Sequence, residues 1–140
     1  MKKRLLFILS LFSLIAILGG CSVNKISNEQ VKKTENDLAK YIVSRYSDVE
    51  TITFKKWGYS NETGYWGVTV IVNKTNKISF SLGDRKDITS ISGISYHSDS
   101  FHLLENEENK DDSPVSISKK IISNELKVDL SNVTITYSSS

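Results

Sequence analysis

The sequence predicts an α+β domain, an amphipathic helix packed on an antiparallel β-meander, with a second helix and a final strand behind them. Three observations carry that expectation. Apolar residues recur at helical spacing from Val31 to Ile42. From Ile52 the period changes to two and keeps it through three successive runs. Turn-forming clusters, Asn61-Glu62-Thr63-Gly64 and Asn73 to Lys77, separate those runs. A change from a period near 3.6 to a period of two marks the passage from helix to strand.

The helix is read over residues 28–46. Ser27 stands as its N-cap and Gln30 follows three residues later, the reciprocal capping pattern, with Ile26 and Val31 at the staple positions. Val31, Leu38 and Ile42 fall within a narrow arc at 100° per residue, flanked by Tyr41 and Tyr46. Lys32, Lys33, Asn36, Asp37 and Lys40 point away from that arc, so the charges of the helix read as a solvated face.

Strands follow at roughly 49–59, 65–73 and 77–82. Ile52 and Phe54 alternate with threonines; Trp66, Val68, Val70 and Val72 alternate in the next run; Ile78, Phe80 and Leu82 alternate in the third. Pairing Tyr59 with Tyr65 sets Phe54 opposite Val70 and Ile52 opposite Val72. It also sets Gly58 against Trp66 and Gly67 against Trp57, a ring over a bare cross-strand glycine. Pairing Val72 with Ile78 extends the apolar face, and the run 65–73 becomes the central strand. Residues 88–96 suggest a fourth strand with a bulge near Gly93. Glu105 to Asp112 reads as a charged loop, Ser113-Pro114 as a helix start with Pro at the first position, and Val133, Ile135 and Tyr137 as a last strand, with Ser138 to Ser140 frayed. Ser47-Asp48-Val49 before Ile52-Thr53-Phe54 is echoed by Ser131-Asn132-Val133 before Ile135-Thr136-Tyr137, two similar approaches to a strand.

The chain starts differently from its body. Met1-Lys2-Lys3-Arg4 is basic, Leu5 to Leu18 is apolar apart from Ser10 and Ser13, and Leu18-Gly19-Gly20-Cys21 closes the segment. That is the layout of a secretory signal. The closing tetrapeptide resembles the lipobox of bacterial lipoproteins. The resemblance implies a diacylglyceryl thioether on Cys21, cleavage before it by a lipoprotein signal peptidase, and a mature chain that begins at Cys21. Residues 1–20 are then signal peptide, 21–27 the lipidated cysteine with a short tether, and 28–140 one domain. An uncleaved transmembrane helix and an ordinary secretory signal are the competing readings. The first needs more length, because a run of 14 residues at about 1.5 Å each falls short of a hydrocarbon core of about 30 Å. The second leaves a free thiol at the cut. Two acyl chains suffice for a stable anchor where one does not.

Removing residues 1–20 leaves 120 of the 140 residues, and the basic count falls from 18 to 15 against 16 acidic residues, so a net charge of +2 becomes −1. A nearly neutral domain offers no electrostatic argument for nucleic acid. Cys21 is the only cysteine, which excludes an intrachain disulfide. The tether Ser22 to Ile26 spans about 17 Å at full extension, so the domain is expected close to the outer face of the membrane.

Leu38-Ala39-Lys40-Tyr41, Tyr46, Val49 to Phe54, Gly64 to Asn73 and Ile78-Ser79-Phe80 together resemble small Gram-positive lipoproteins that carry a domain of unknown function. The resemblance covers roughly residues 35–82. It implies a lipid-anchored protein on the extracytoplasmic face of the cell membrane and brings no catalytic residue. The order of helix and meander is also similar to PepSY-type extracytoplasmic domains.

Motifs for chemistry are sparse. His97 and His102 flank Asp99 in a spacing unlike a zinc site. Gly93-Ile94-Ser95-Tyr96-His97 lacks the second glycine of a nucleophile elbow. Glu105, Glu107, Glu108, Asp111 and Asp112 lack the spacing and glycine of a calcium loop. No residue pattern calls for a metal or another cofactor. Three Asn-x-Thr sequons, at Asn61, Asn73 and Asn132, read as chance. The expectation is therefore a non-enzymatic binding module, with a small cell-envelope hydrolase as the alternative. Trp57, Tyr59 and Tyr65 are the candidate contact residues, on the sheet face opposite Phe54 and Val70. Their partner would be a neighbouring membrane protein or an inner cell-wall component. In the competing reading the C-terminal third covers that face and makes them core.

Overall fold

A computed structural model describes residues 27–139. The readings of residues 1–20 and of Cys21 lie outside the described residues. The domain is α+β. Helix α1 (Asn28–Arg45) is followed by strands β1 (Thr51–Phe54), β2 (Gly58–Tyr59), β3 (Trp66–Val72), β4 (Asn76–Leu82) and β5 (Ile91–Tyr96), then helix α2 (Pro114–Ile122) and strand β6 (Thr134–Thr136). The sheet runs β5-β4-β3-β1-β6, with β2 paired on the end of β3. Every pairing is antiparallel except that of β1 with β6.

The capping box forms as the sequence predicts: Ser27 Oγ accepts from the Gln30 N–H at 3.2 Å and Gln30 Oε1 accepts from the Ser27 N–H at 3.4 Å. The buried stripe of α1 is Val31, Thr34, Glu35, Leu38, Tyr41 and Ile42. It meets Ile52, Phe54, Val68, Val70, Val72, Ile78, Phe80 and Leu82 from one face of the sheet. Each large side chain so buried contributes about 1.5–3 kcal/mol. The charges of α1 are not all solvated, since Glu35 is fully buried and Asp37 is buried beside Lys33, its ion-pair partner at 3.2 Å.

α2 opens on Ser113, whose hydroxyl accepts from the Ser116 N–H, with Pro114 first in the helix. Ile117 and Ile121 join the core and α2 lies against α1, so the C-terminal third adds to the helical layer. The other sheet face keeps half-exposed Thr51, Thr53, Thr69, Ser79 and Ser81, with the Thr69 and Ser79 hydroxyls bonded across strands at 3.1 Å.

Phe54 pairs with Val70 and Ile52 with Val72, as the alternation requires. Beyond Phe54 the expected register fails. The long first strand breaks at Lys55 to Trp57, Gly58 pairs with Gly67, and Tyr59 pairs with Trp66. Four residue steps from Phe54 to Gly58 oppose three from Val70 to Gly67, so one residue is extra and the strand bulges. Glycine therefore faces glycine, and neither tryptophan lies over one. The β3–β4 register also differs, by two residues: Val70 pairs with Ile78 and Val72 with Asn76. The turn needs only Asn73 to Thr75 because Asn73 and Lys74 adopt positive φ, 49° and 71°, a conformation asparagine tolerates. A slip of two preserves which face each side chain occupies.

Ile88 belongs to a short 3₁₀ turn (Ile88–Ser90) rather than to a strand, and the β4–β5 ladder shifts between Ser81 and Leu82. The echoed segments become neighbours, with Ile52 beside Ile135 and Thr53 beside Thr136 in the parallel pair. The chain after β6 is held as far as Ser138, whose N–H donates to Glu35 at 3.2 Å.

Candidate functional site

The strand directions gather five segments at one end of the sheet. These are the first turn of α1, the bulge and β2, the start of β3, the turn after β4, and the chain leaving β6. Here both tryptophans come together with Tyr59 and Tyr65.

Trp57 is turned by the bulge towards α1. Its Nε1–H donates to Glu35 Oε1 at 3.3 Å, and its ring packs on the core. Trp66, in step with Val68 and Val70, lies on the same side, and Tyr59 opposite it packs ring to ring at 5.0 Å. The Arg85 guanidinium stacks over the Trp66 ring, 3.9 Å from its centroid, the preferred geometry of a cation–π pair. Burial draws Arg85 below the usual guanidinium value, and it remains a cation at neutral pH. Tyr65 lies out of step with Trp66, its ring edge 3.8 Å from the position a Cβ would take on Gly83. Gly64, at φ +75°, lets the chain turn back between the tyrosines. Tyr59 and Tyr65 are 49% and 42% exposed.

The three expected contact residues therefore do not form one set on the outer face. Trp57 is half-buried on the helix side, Tyr59 is exposed on that same side, and Tyr65, out of step with Trp66, keeps the outer face beside Gly83. Sequence reasoning missed Trp66, Lys56, Arg85 and Glu35. Alternation puts Trp66 in step with Val68 and Val70, so the pattern alone does not mark it as a surface group. Arg85 follows from the β3–β4 register, because Trp66 pairs with Leu82 and the following turn returns past it.

Between the first turn of α1 and the bulge lies a cleft of about 270 Å³ whose lining includes Asn28, Val31, Lys56, Trp57, Arg85 and Ser138. Lys56 and Arg85 supply cationic donors, Asn28 an amide and Trp57 an indole surface. Such a lining suits a ligand that combines hydrogen-bond acceptors or negative charge with an apolar face. Behind two lining residues Glu35 accepts from the Trp57 Nε1–H and from the Ser138 N–H. It is fully buried, so it cannot reach a proton on anything bound in the cleft, as a general acid or base must.

The remaining sequence features lie elsewhere. His97 and His102 are exposed, and the bonds they make here are backbone ones, the His97 N–H to Lys77 and the His102 N–H to Asn76 Oδ1. Ser95 is within β5, not at a strand-to-helix turn. The acidic stretch lies at the opposite end of the sheet, where Glu105 is 3.9 Å from Arg45 and Asp112 pairs with Lys120 at 3.0 Å. Among the described residues no group of three or more His, Cys, Asp or Glu side chains is placed to hold a metal ion, and no helix is long and apolar enough to cross a membrane. No protein-family model, curated protein or solved structure matches the chain.

Proposed function

We propose that this chain is a lipid-anchored extracytoplasmic lipoprotein whose domain is a non-enzymatic binding module, working through the aromatic and cationic end of its sheet. The observation that carries the reading is the cluster itself: exposed Tyr59 and Tyr65 beside an Arg85–Trp66 stack and a cleft lined by Lys56 and Trp57. Rigid aromatics offer large contact area at little entropy cost, and aromatic and Arg side chains dominate interface energetics. A hydrolase, the alternative, would need a carboxylate or histidine that reaches its substrate; the Glu35 carboxylate is buried behind Trp57.

The anchor is supported by the segment Lys2 to Cys21. It is tested by feeding cells a palmitate analogue. The mature protein takes the label and Cys21→Ala abolishes it; labelling that survives the substitution would overturn the anchor.

A further inference from the structure

We propose that the partner of this end is the bilayer surface itself, the phosphate layer of anionic phospholipid, with Trp57, Tyr59, Tyr65 and Trp66 at headgroup depth and Lys56 and Arg85 facing phosphate. The inference rests on the anchor proposed above.

Placement comes first. The tether enters the domain at Ser27, the N-cap of α1, and Asn28 and Val31 of that first turn line the same cleft as Lys56, Trp57 and Arg85. The aromatic end is thus the end to which the anchor is attached. Five tether residues reach about 17 Å, whereas the 18 residues of α1 separate the two ends of the domain by about 27 Å. The opposite end cannot be turned down onto the bilayer, because the first turn of α1 would then lie beyond the reach of its own tether.

Chemistry agrees with placement. The chain has two tryptophans, and both are at this end. Tryptophan and tyrosine favour the headgroup layer, where an apolar ring and a polar tip are both satisfied. Lys56 and Arg85 complement lipid phosphate. Charge at the far end disfavours the reverse orientation, since Glu105, Glu107, Glu108 and Asp111 are exposed there. Glu62 and Asp84 are exposed in the near-end loops and temper the attraction. Docking is therefore weak from solution and depends on the high effective concentration that a short tether confers.

The test uses the chain from Cys21 to Ser140, which carries every core residue. Its single cysteine is coupled to a maleimide lipid in phosphatidylcholine vesicles with or without phosphatidylglycerol. Both tryptophans then report on the docked end. With phosphatidylglycerol present, emission is quenched by a lipid with a shallow doxyl label, and the iodide quenching constant falls about twofold or more. High salt and Lys56→Glu each reverse both changes, while Lys56→Glu leaves the thermal melt unaltered because Lys56 is exposed. Emission untouched by doxyl lipid, with iodide access equal to that of the uncoupled chain, overturns the inference and leaves a protein partner for this end. Maleimide coupling bypasses cellular lipidation, so the two readings fail separately. Loss of the palmitate label with docking intact removes only the anchor. Label retained without docking removes only the bilayer as partner.

Discussion

Both ends of the sheet carry aromatic side chains, and the two ends use them differently. At the far end Tyr46 packs on Phe101 at 5.2 Å, Phe101 on Tyr96 at 4.8 Å, and the Tyr46 and Tyr96 hydroxyls bond to each other at 2.8 Å. Asparagines complete that end by bonding to backbone, Asn109 Nδ2 donating to the Ser44 carbonyl at 2.9 Å. Asn73 Oδ1 accepts from the N–H groups of Glu50 and Thr51, Asn76 Nδ2 donates to the Val72 carbonyl, and Asn106 Nδ2 lies within 3.2 Å of the carbonyls of Val43, Ser44 and Tyr46. The last of these satisfies carbonyls that a helix C-terminus leaves open. At the near end the rings of Tyr59 and Tyr65 are about as exposed as that of Tyr96, but among the described residues no hydroxyl bond like that of Tyr46 and Tyr96 ties them together. One end closes the fold and the other presents a surface. Far-end substitutions should therefore register in stability, and substitutions of the exposed near-end tyrosines in binding.

The largest effect expected is at Asn73. Asn73→Ala removes the acceptor for two N–H groups at 2.7 and 3.1 Å and the donor to the Asp48 carbonyl, at a position of positive φ. A loss of about 1–3 kcal/mol is expected from stranded donors, read by urea denaturation, with native tryptophan emission unchanged. A loss confined to a few tenths would mean that water replaces the amide and that the far end is not fastened as described.

Much of this contrast was legible in the sequence, up to a definite point. Ser27 and Gln30 marked the helix start because a capping box is a local interaction between residues three apart. Ile52 with Val72 and Phe54 with Val70 were legible because alternation fixes faces. The bulge was not, because one extra residue at Lys55 to Trp57 leaves the apolar pattern before it intact and reverses the faces from Trp57 to Tyr59. That single residue moved Trp57 from the expected outer face to the helix side. Glu35 was missed for a related reason. Pattern reading sends carboxylates outward, while the indole of Trp57 and the N–H of Ser138, distant in sequence, supply the donors that let this one be buried. The parallel partnership of β1 and β6 joins segments some 80 residues apart, beyond any local signal; only the echo of Ile52-Thr53 in Ile135-Thr136 hinted at it.

A smaller effect should separate the ends by pH. Burial pushes the Tyr41 hydroxyl up to about 12, and burial with the Tyr96 hydrogen bond raises Tyr46 further. A phenol raised above its unfolded value of 10.0 keeps its proton in the folded state after the unfolded chain has lost it. Its stabilising contribution is complete below that value and is lost as pH rises towards 12. Stability should thus fall over that alkaline window. Tyr41→Phe should shallow the fall and cost little or nothing at neutral pH, since the buried Tyr41 hydroxyl has no hydrogen-bond partner among the described residues. A steep neutral-pH loss in thermal melts of Tyr41→Phe would show that the hydroxyl is bonded after all.

The smallest stability effect, and the sharpest division within the near end, should come from Tyr65. Its ring is 42% exposed and edges against the open side of Gly83, so Tyr65→Ala removes little buried area and leaves no polar group stranded. A change within about 0.5 kcal/mol is expected. Trp57→Ala offers the contrast inside the same cluster. It loses a ring packed on the core and deprives buried Glu35 of one of its donors, so it should destabilise clearly. If Tyr65 is a surface group that meets the headgroup layer, Tyr65→Ala should weaken quenching by doxyl lipid on phosphatidylglycerol vesicles while the melting curve stays in place. If the melting curve moves as far for Tyr65→Ala as for Trp57→Ala, the ring belongs to the core, and the division between an end that closes the fold and an end that faces outward fails at Tyr65.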